Sequence, residues 1–221
     1  LSLLASQKKI RFINTFHAGE IGKGKLALYD IIDRWSARLS HHNFSVSELI
    51  NQRIPSQTAV LNNFINTEKL IQSPGTQIAF VGRLSHEKAP DRFIELAKQH
   101  PTYSFHLYGS GPMEYELIKH LPSNVVFHGH QKSMEAIWSN IGLLIICSRY
   151  EGLPMTALEA MGRGIPVIST PVGNMSKLIQ TEVNGWIAEP KELSQTLLHW
   201  FGSVVIMAIP PVFLVKSILT T

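Results

Sequence analysis

The chain has 221 residues, 44% of them hydrophobic and 16% charged, with a net charge of +4 and a single cysteine. These values describe an ordinary globular protein with room for one large or two small domains, and they exclude extended disorder. They also exclude an intramolecular disulfide framework and fit a reducing, cytoplasmic compartment.

The mild positive excess suits anionic small ligands or an anionic membrane surface, so peripheral attachment at the inner face of a membrane stays open. No arginine–lysine stripe with interleaved aromatics points to nucleic acid. The opening LSLLASQKKI has no basic segment ahead of its apolar residues, so no signal peptide is read there. Leu1 is not an initiator methionine, which fits a chain that starts inside a domain.

In chain order, Ile10–Phe16 reads as a strand, followed by a polar loop from His17 to Lys25. Leu26–Leu39 has helical spacing, with Leu28, Ile31, Ile32 and Trp35 on one face. Asn43–Val46 is a short strand, Ser47 caps a short helix, and Thr58–Leu61 is another short strand. Residues 1–72 form one block, and Ser73-Pro74-Gly75 reads as a linker.

From residue 76 to 200, strand and helix alternate. Strands are expected at Gln77–Val81, Tyr103–Tyr108, Asn124–Phe127, Ile141–Cys147, Ile165–Ser169 and Gly185–Ala188. Helices are expected near Pro90–Gln99, Pro112–His120, Ser133–Ser139, Pro154–Gly162, Met175–Gln180 and Glu192–Trp200. Such alternation gives an α/β fold with a parallel sheet covered on both faces, whose ligands bind beyond the strand C-termini. The turns at Gly82, at Gly109 and Gly111, and at Gly129 fall at those ends. Cys147, inside an apolar run, reads as an inert core thiol.

The tail 201–221 is strongly apolar, yet Pro210-Pro211 and Lys216 argue against a membrane span. A membrane-surface segment, a buried helix and non-native sequence all remain open, the last being favoured.

The most informative stretch is Arg149–Ala160, RYEGLPMTALEA, where an apolar strand passes through a glycine turn into a helix. Pro154 suits a first helical turn, where its missing N–H costs nothing. A turn of this kind offers backbone N–H groups and a positive dipole end to an anion. Glu151 sits before the helix and Glu159 about a turn and a half inside it, at ~1.5 Å rise per residue. Ionised carboxylates accept hydrogen bonds, so sugar hydroxyls are natural partners. A cap-favouring Glu151 and a solvated Glu159 are the plain alternative.

Glu151 and Glu159 are separated by seven residues, and EGLPMTALEA resembles the E-x7-E signature of retaining family-4 glycosyltransferases. The similarity extends in order through VGRLSHEKAPDRF, HLYGSGPMEYEL, NVVFHGH, GIPVISTPVGN and NGWIAEP. A weaker similarity, through TFHAGE, FSVSELI and VLNNFI, covers Lys8 to Ile71.

The resemblance implies a GT-B fold: a donor-binding Rossmann-like domain at 76–200 and a partial N-terminal acceptor-side domain. It implies transfer of a sugar from a nucleotide-sugar, such as a UDP- or GDP-sugar, to a glycan or lipid-linked acceptor, in polysaccharide or envelope glycan synthesis.

By the same resemblance, Arg83 and Lys88 contact the donor diphosphate; a solvated basic loop is the alternative. Ala89 stands where the family usually has glycine. Glu159 would accept from the ribose, and Glu151 would meet hydroxyls of the transferred sugar. The Gly152-Leu153-Pro154-Met155 turn would cradle phosphate. Gly82, Gly109, Gly111 and His130 would line the donor pocket, though tight turns alone also need glycine. His17 resembles a loop histidine near the sugar, with a structural role equally open.

The resemblance further implies retention through an oxocarbenium-like transition state, with the leaving phosphate taking the acceptor's proton and no protein nucleophile. No Asp-x-Asp and no metal-spaced His/Cys cluster is seen, so no cofactor or metal is expected. His41-His42 reads as a surface pair.

Three rivals remain. A fragment that only binds nucleotide-sugar or a partner is one, and a GT-B nucleotide-sugar epimerase is another. The third is a P-loop at Gly19-x-x-x-x-Gly24-Lys25, in which Leu26 replaces the Ser/Thr that holds Mg²⁺.

Overall fold

A computed structural model of the chain describes residues 12–16, 25–46, 48–61, 63–68 and 70–203. The readings placed on His17, the Gly19–Gly24 loop, Ser47 and the apolar tail beyond 203 lie outside the described residues. The chain divides into two units: one holds the described residues up to Asn63 together with Tyr150–Leu153, the other Phe64–Arg149 and Pro154 onward.

The first unit runs β1 (Ile13–Phe16), α1 (Lys25–Ser36), a 3-10 turn (Ala37–Leu39), β2 (His42–Ser45), α2 (Glu48–Asn51) and β3 (Ala59–Val60). Its three strands are parallel in the order β1-β2-β3. Phe16, Ala37, Val46, Ile50 and Ile54 form a small core. Asn43 is buried with its amide paired, donating to Ala37 O at 2.9 Å and Ser56 Oγ at 3.0 Å. A buried amide satisfied in this way avoids the desolvation cost of an orphan donor.

Of the apolar face expected on the first helix, the described side chains are open: Ile31, Ile32 and Trp35 are each about half exposed. Trp35 is instead roofed by the Arg38 guanidinium, 4.0 Å from the ring centroid. The helix also ends three residues early, its last turn tightening to 3-10. His41 and His42 are both exposed, as expected of a surface pair.

The second unit contains a six-stranded sheet: β4 (Gln77–Val81), β5 (Phe105–Tyr108), β6 (Val125–Gly129), β7 (Ile141–Ile146), β8 (Val167–Ser169) and β9 (Gly185–Ile187). All its pairings are parallel, in the order β6-β5-β4-β7-β8-β9. The chain builds outward from β4 to β6, then returns to the middle at β7 and builds the other way. β4 and β7 therefore flank the topological switch point of a doubly wound sheet.

The connecting helices are α3 (Pro90–Gln99), α4 (Glu114–Ile118), α5 (Glu135–Trp138), α6 (Met155–Met161), α7 (Met175–Leu178) and α8 (Leu193–Gly202). The central strand β7 is almost wholly buried, as a strand covered on both faces must be. Phe80, Phe93 and Phe105 pack in series within the same core, one pair tilted and the other edge-on, with centroids 5.7 and 5.5 Å apart. Each such ring stabilises the unit by roughly 1.5–3 kcal/mol through burial.

Cys147 is fully buried and its thiol is pushed up to about 12, mainly by desolvation, so the core-thiol reading holds. The segment Ser73–Gly75 is fastened to the base of this sheet, with Ser73 Oγ donating to Ile141 O at 2.7 Å. Among the described residues, no helix is long and apolar enough to cross a membrane.

Candidate functional site

The C-terminal ends of β4, β5 and β6 carry three glycine turns that are laced together by backbone hydrogen bonds. Gly82 N donates to Tyr108 O at 3.1 Å, Leu84 N to Ser110 O at 2.9 Å, and Gly109 N to Gly129 O at 2.9 Å. Approach this close depends on missing side chains. A Cβ on Gly109, whose φ is +129°, would lie 1.8 Å from Gly82 O. One on Gly111 would lie 2.4 Å from Leu84 O. Gly82 itself has room for a Cβ, so its glycine is not explained by crowding. The lacing fixes the loop that runs from Gly82 to Ala89, and this loop carries both expected cations. The Arg83 side chain stands exposed on it, while Lys88 is half-buried.

On its other flank the same loop is gripped by residues that sequence reasoning did not single out. Arg149, three residues past the end of β7, forms a two-pronged ion pair with Asp91. Its Nη1 lies 3.0 Å from Oδ1 and its Nη2 2.6 Å from Oδ2. Arg149 Nη1 also donates to His86 O at 2.8 Å, and its backbone N donates to Glu87 O at 2.7 Å. Next to Asp91, Arg92 Nη1 donates to Cys147 O at 3.1 Å. Burial alone would raise the Asp91 carboxyl, but the hydrogen bonds and charge of Arg149 outweigh it and hold Asp91 below its usual range. The one available signal was an arginine at the mouth of a buried strand. Its partner lies 58 residues away, beyond the reach of any local pattern.

Ala89, at the position where the resemblance puts glycine, precedes α3 at φ +54°, in the left-handed region. The change is therefore a strained one, since an L-residue with a Cβ is disfavoured there.

Beyond β7, Glu151 and Gly152 are half-buried and Leu153 is buried. Within its own unit, Leu153 O accepts from Asn63 Nδ2 at 2.7 Å. Pro154 stands one residue earlier than expected, at the helix cap with extended backbone, and Met155 begins α6. An N-cap carbonyl starts the helix hydrogen bonding and its N–H is not needed, so proline is as well suited there.

Glu159 lies on α6 beside Trp138, Glu135 and Arg163. Burial raises its carboxyl above the usual range; Arg163 and the Trp138 indole pull it down, and Glu135 adds to the rise. Trp138 Nε1 is buried beside this carboxyl without a hydrogen bond of ordinary geometry. Arg163, buried, donates to Glu159 O at 2.9 Å and to Glu135 Oε2 at 2.6 Å, clamping α6 to α5.

The structure thus gathers Gly82, Arg83, Lys88, Gly109 and Gly111 at linked loops beside the switch point. His130 follows β6 and is exposed. Three stacked rings line the neighbouring strands. Tyr108 and His128 lie 4.1 Å apart, and His106 Nδ1 meets His128 Nε2 at 2.9 Å. Among the described residues, no three His, Cys, Asp or Glu side chains come together as a metal site.

Known proteins resemble this chain in sequence and in fold. An Escherichia coli protein, "O-antigen biosynthesis glycosyltransferase WbnH", is 34% identical over 118 residues, covering 52% of this chain and 34% of that one. "Lipopolysaccharide 1,6-galactosyltransferase" of Escherichia coli K12 is 26% identical over 166 residues, covering 66% of this chain and 46% of its own length. The chain therefore spans only about a third to a half of these relatives. Among solved structures, Anabaena Alr3699/HepE in complex with UDP and glucose superimposes with a TM-score of 0.80 at 16% identity, covering 98% of this chain and 68% of that one. The fold is accordingly that of a partial GT-B protein, as the motifs implied. Residues 63–200 match the family described as Glycosyl transferases group 1, and the chain belongs to that family.

Proposed function

We propose that the chain is the donor-binding part of a retaining, metal-independent family-4 transferase that moves a hexosyl unit from a nucleotide-sugar to a glycan or lipid-linked acceptor. The observation that carries this reading is the laced loop at the C-terminal end of β4. It presents Arg83 and Lys88 at the switch point of the sheet, where a doubly wound fold receives its ligand.

Arg83 grips a phosphate with two parallel hydrogen bonds and Lys88 adds a point charge, so charge developing on the departing diphosphate is met by side chains. The bond from the anomeric carbon to the phosphate oxygen breaks. A bond from that carbon to the acceptor oxygen forms on the same face, and the acceptor proton passes to the phosphate. Glu159 takes the ribose hydroxyls, and Glu151, with His17, serves the transferred sugar. Gly109, Gly111 and His130 line the nucleoside end, and the Gly152–Met155 turn cradles phosphate. These roles rest on the motif resemblance. The curated relatives, named for O-antigen and lipopolysaccharide synthesis, support a place in envelope polysaccharide assembly, with the protein at the cytoplasmic side of a membrane.

A second reading is nucleotide-sugar binding without transfer, since the diphosphate-gripping Arg83 and Lys88 both lie within the residues that match the family, 63–200. One experiment tests both: thermal shift over UDP-, GDP- and ADP-sugars, followed by transfer assays with the stabilising donor. Stabilisation by at least one donor is expected, lost in Arg83→Ala/Lys88→Ala. No shift with any donor refutes binding; a shift without transfer leaves the second reading.

A further inference from the structure

We infer that Arg149 is a positioning residue for the donor diphosphate, acting on Arg83 and Lys88 through the loop that holds them. The inference rests on the donor reading above and extends it to a residue that does not itself touch the ligand.

The loop from Gly82 to Ala89 has two sides. On one it is fixed by the glycine lacing, with Met113 N donating to Leu84 O at 2.9 Å as a further tie. On the other its fixation comes from the end of β7. His86 O and Glu87 O accept from Arg149, Asp91 takes both prongs of the same guanidinium, and Arg92 reaches Cys147 O. Lys88 therefore sits between two anchored points, Glu87 and Asp91. The guanidinium is already spent on a carboxylate and a carbonyl, so its charge is not what a phosphate would meet. Its service is geometric.

That service needs the planar fork of arginine. A lysine at 149 keeps the charge and loses the second prong and the reach to His86 O. Displacement of a gripping side chain by even about 1 Å is expected to weaken its hold on phosphate by tenfold or more. The nucleoside end of the ligand contacts neither cation and is indifferent to the change.

The test uses the full chain, with UDP, GDP and ADP titrated beside their parent nucleosides by ligand-observed NMR. Variants are Arg149→Lys, Asp91→Asn and the double variant. For whichever diphosphate the unaltered protein binds, affinity should fall at least tenfold in each single variant. The double variant should be no weaker than the worse single. Affinity for the parent nucleoside should stay within twofold. A purely structural contact would instead weaken nucleoside and diphosphate together. Equal losses for the two, or diphosphate affinity within twofold in folded Arg149→Lys, overturn the inference. If Arg149→Lys fails to fold, the near-isosteric Asp91→Asn carries the same comparison. An unaltered protein that binds none of the three diphosphates overturns the donor reading itself, which separates the two failures.

Discussion

Gly109 approaches Gly82 so closely that a methyl group on the former would lie 1.8 Å from the carbonyl oxygen of the latter. No rotamer relieves a clash made by Cβ itself, so the backbones must part. Gly109→Ala and Gly111→Ala should each cost about 3 kcal/mol or more, from overpacking and, at 109, added dihedral strain. Gly129, at φ +66° with nothing nearer than 3.9 Å to a Cβ, should cost only about 1 kcal/mol when changed to alanine. Urea denaturation of the three variants checks this, and equal losses would contradict it.

Ala89 offers the reverse experiment. In a helix interior, alanine to glycine costs about 1 kcal/mol. At φ +54°, relief of the left-handed strain should cancel the lost methyl burial, leaving stability within about 0.5 kcal/mol. Ala89→Val adds β-branching to the strain and should lose more than about 2 kcal/mol. A clear loss in Ala89→Gly, measured by urea midpoint at unchanged slope, would show that the strain is not there.

His106 and His128 share a hydrogen bond that requires one neutral ring to accept, so charging both breaks it. Both are held below their ordinary 6.5, by burial in each case and additionally by the charge of His128 for His106. The unfolded chain thus binds more protons than the folded one in the window below 6.5. Stability should be at its full value above pH 6.5 and fall as pH drops through the folded values. His100, lowered by burial, adds in the same direction. His106→Gln should flatten the slope without abolishing it, which melting temperatures at pH 7.5, 6.5 and 5.5 would read.

Glu159→Gln should separate folding from binding. The raised carboxyl says that its charged form is disfavoured by its surroundings, so an amide of the same shape should leave the melting temperature unchanged or higher at pH 7. Donor-induced stabilisation should shrink, because an amide replaces one ribose acceptor by a donor. A lower melting temperature with donor binding intact would assign Glu159 to the fold alone.

Sequence legibility followed burial. Helix α3 and strand β4 fall where the sequence places them, Pro90–Gln99 and Gln77–Val81. In α3, a proline at the first turn and buried Phe93, Ile94 and Ala97 make local and tertiary signals agree. Helices α4, α5 and α7 are shorter than expected, at five, four and four residues. In α4, no residue is buried, so little tertiary packing extends it. The glycine turns were legible because glycine marks backbone approach. The clasp of Arg149 on Asp91 was not, because nothing local distinguishes an arginine that will pair across the sheet from one left in solvent. Arg163, four residues on, lies within reach of helical spacing, but nothing local shows that Glu159 would share its surroundings with Glu135 of another helix.

The chain passes between its two units three times, at 63/64, 149/150 and 153/154. Tyr150–Leu153 is thus a short excursion out of the larger unit, and Asn63 of the smaller unit holds Leu153 O. Cutting the polypeptide before Phe64 would yield a fragment that still contains the Glu151 turn but has lost its tether. Such a fragment would keep its six-stranded sheet and open first to proteases at Tyr150–Leu153.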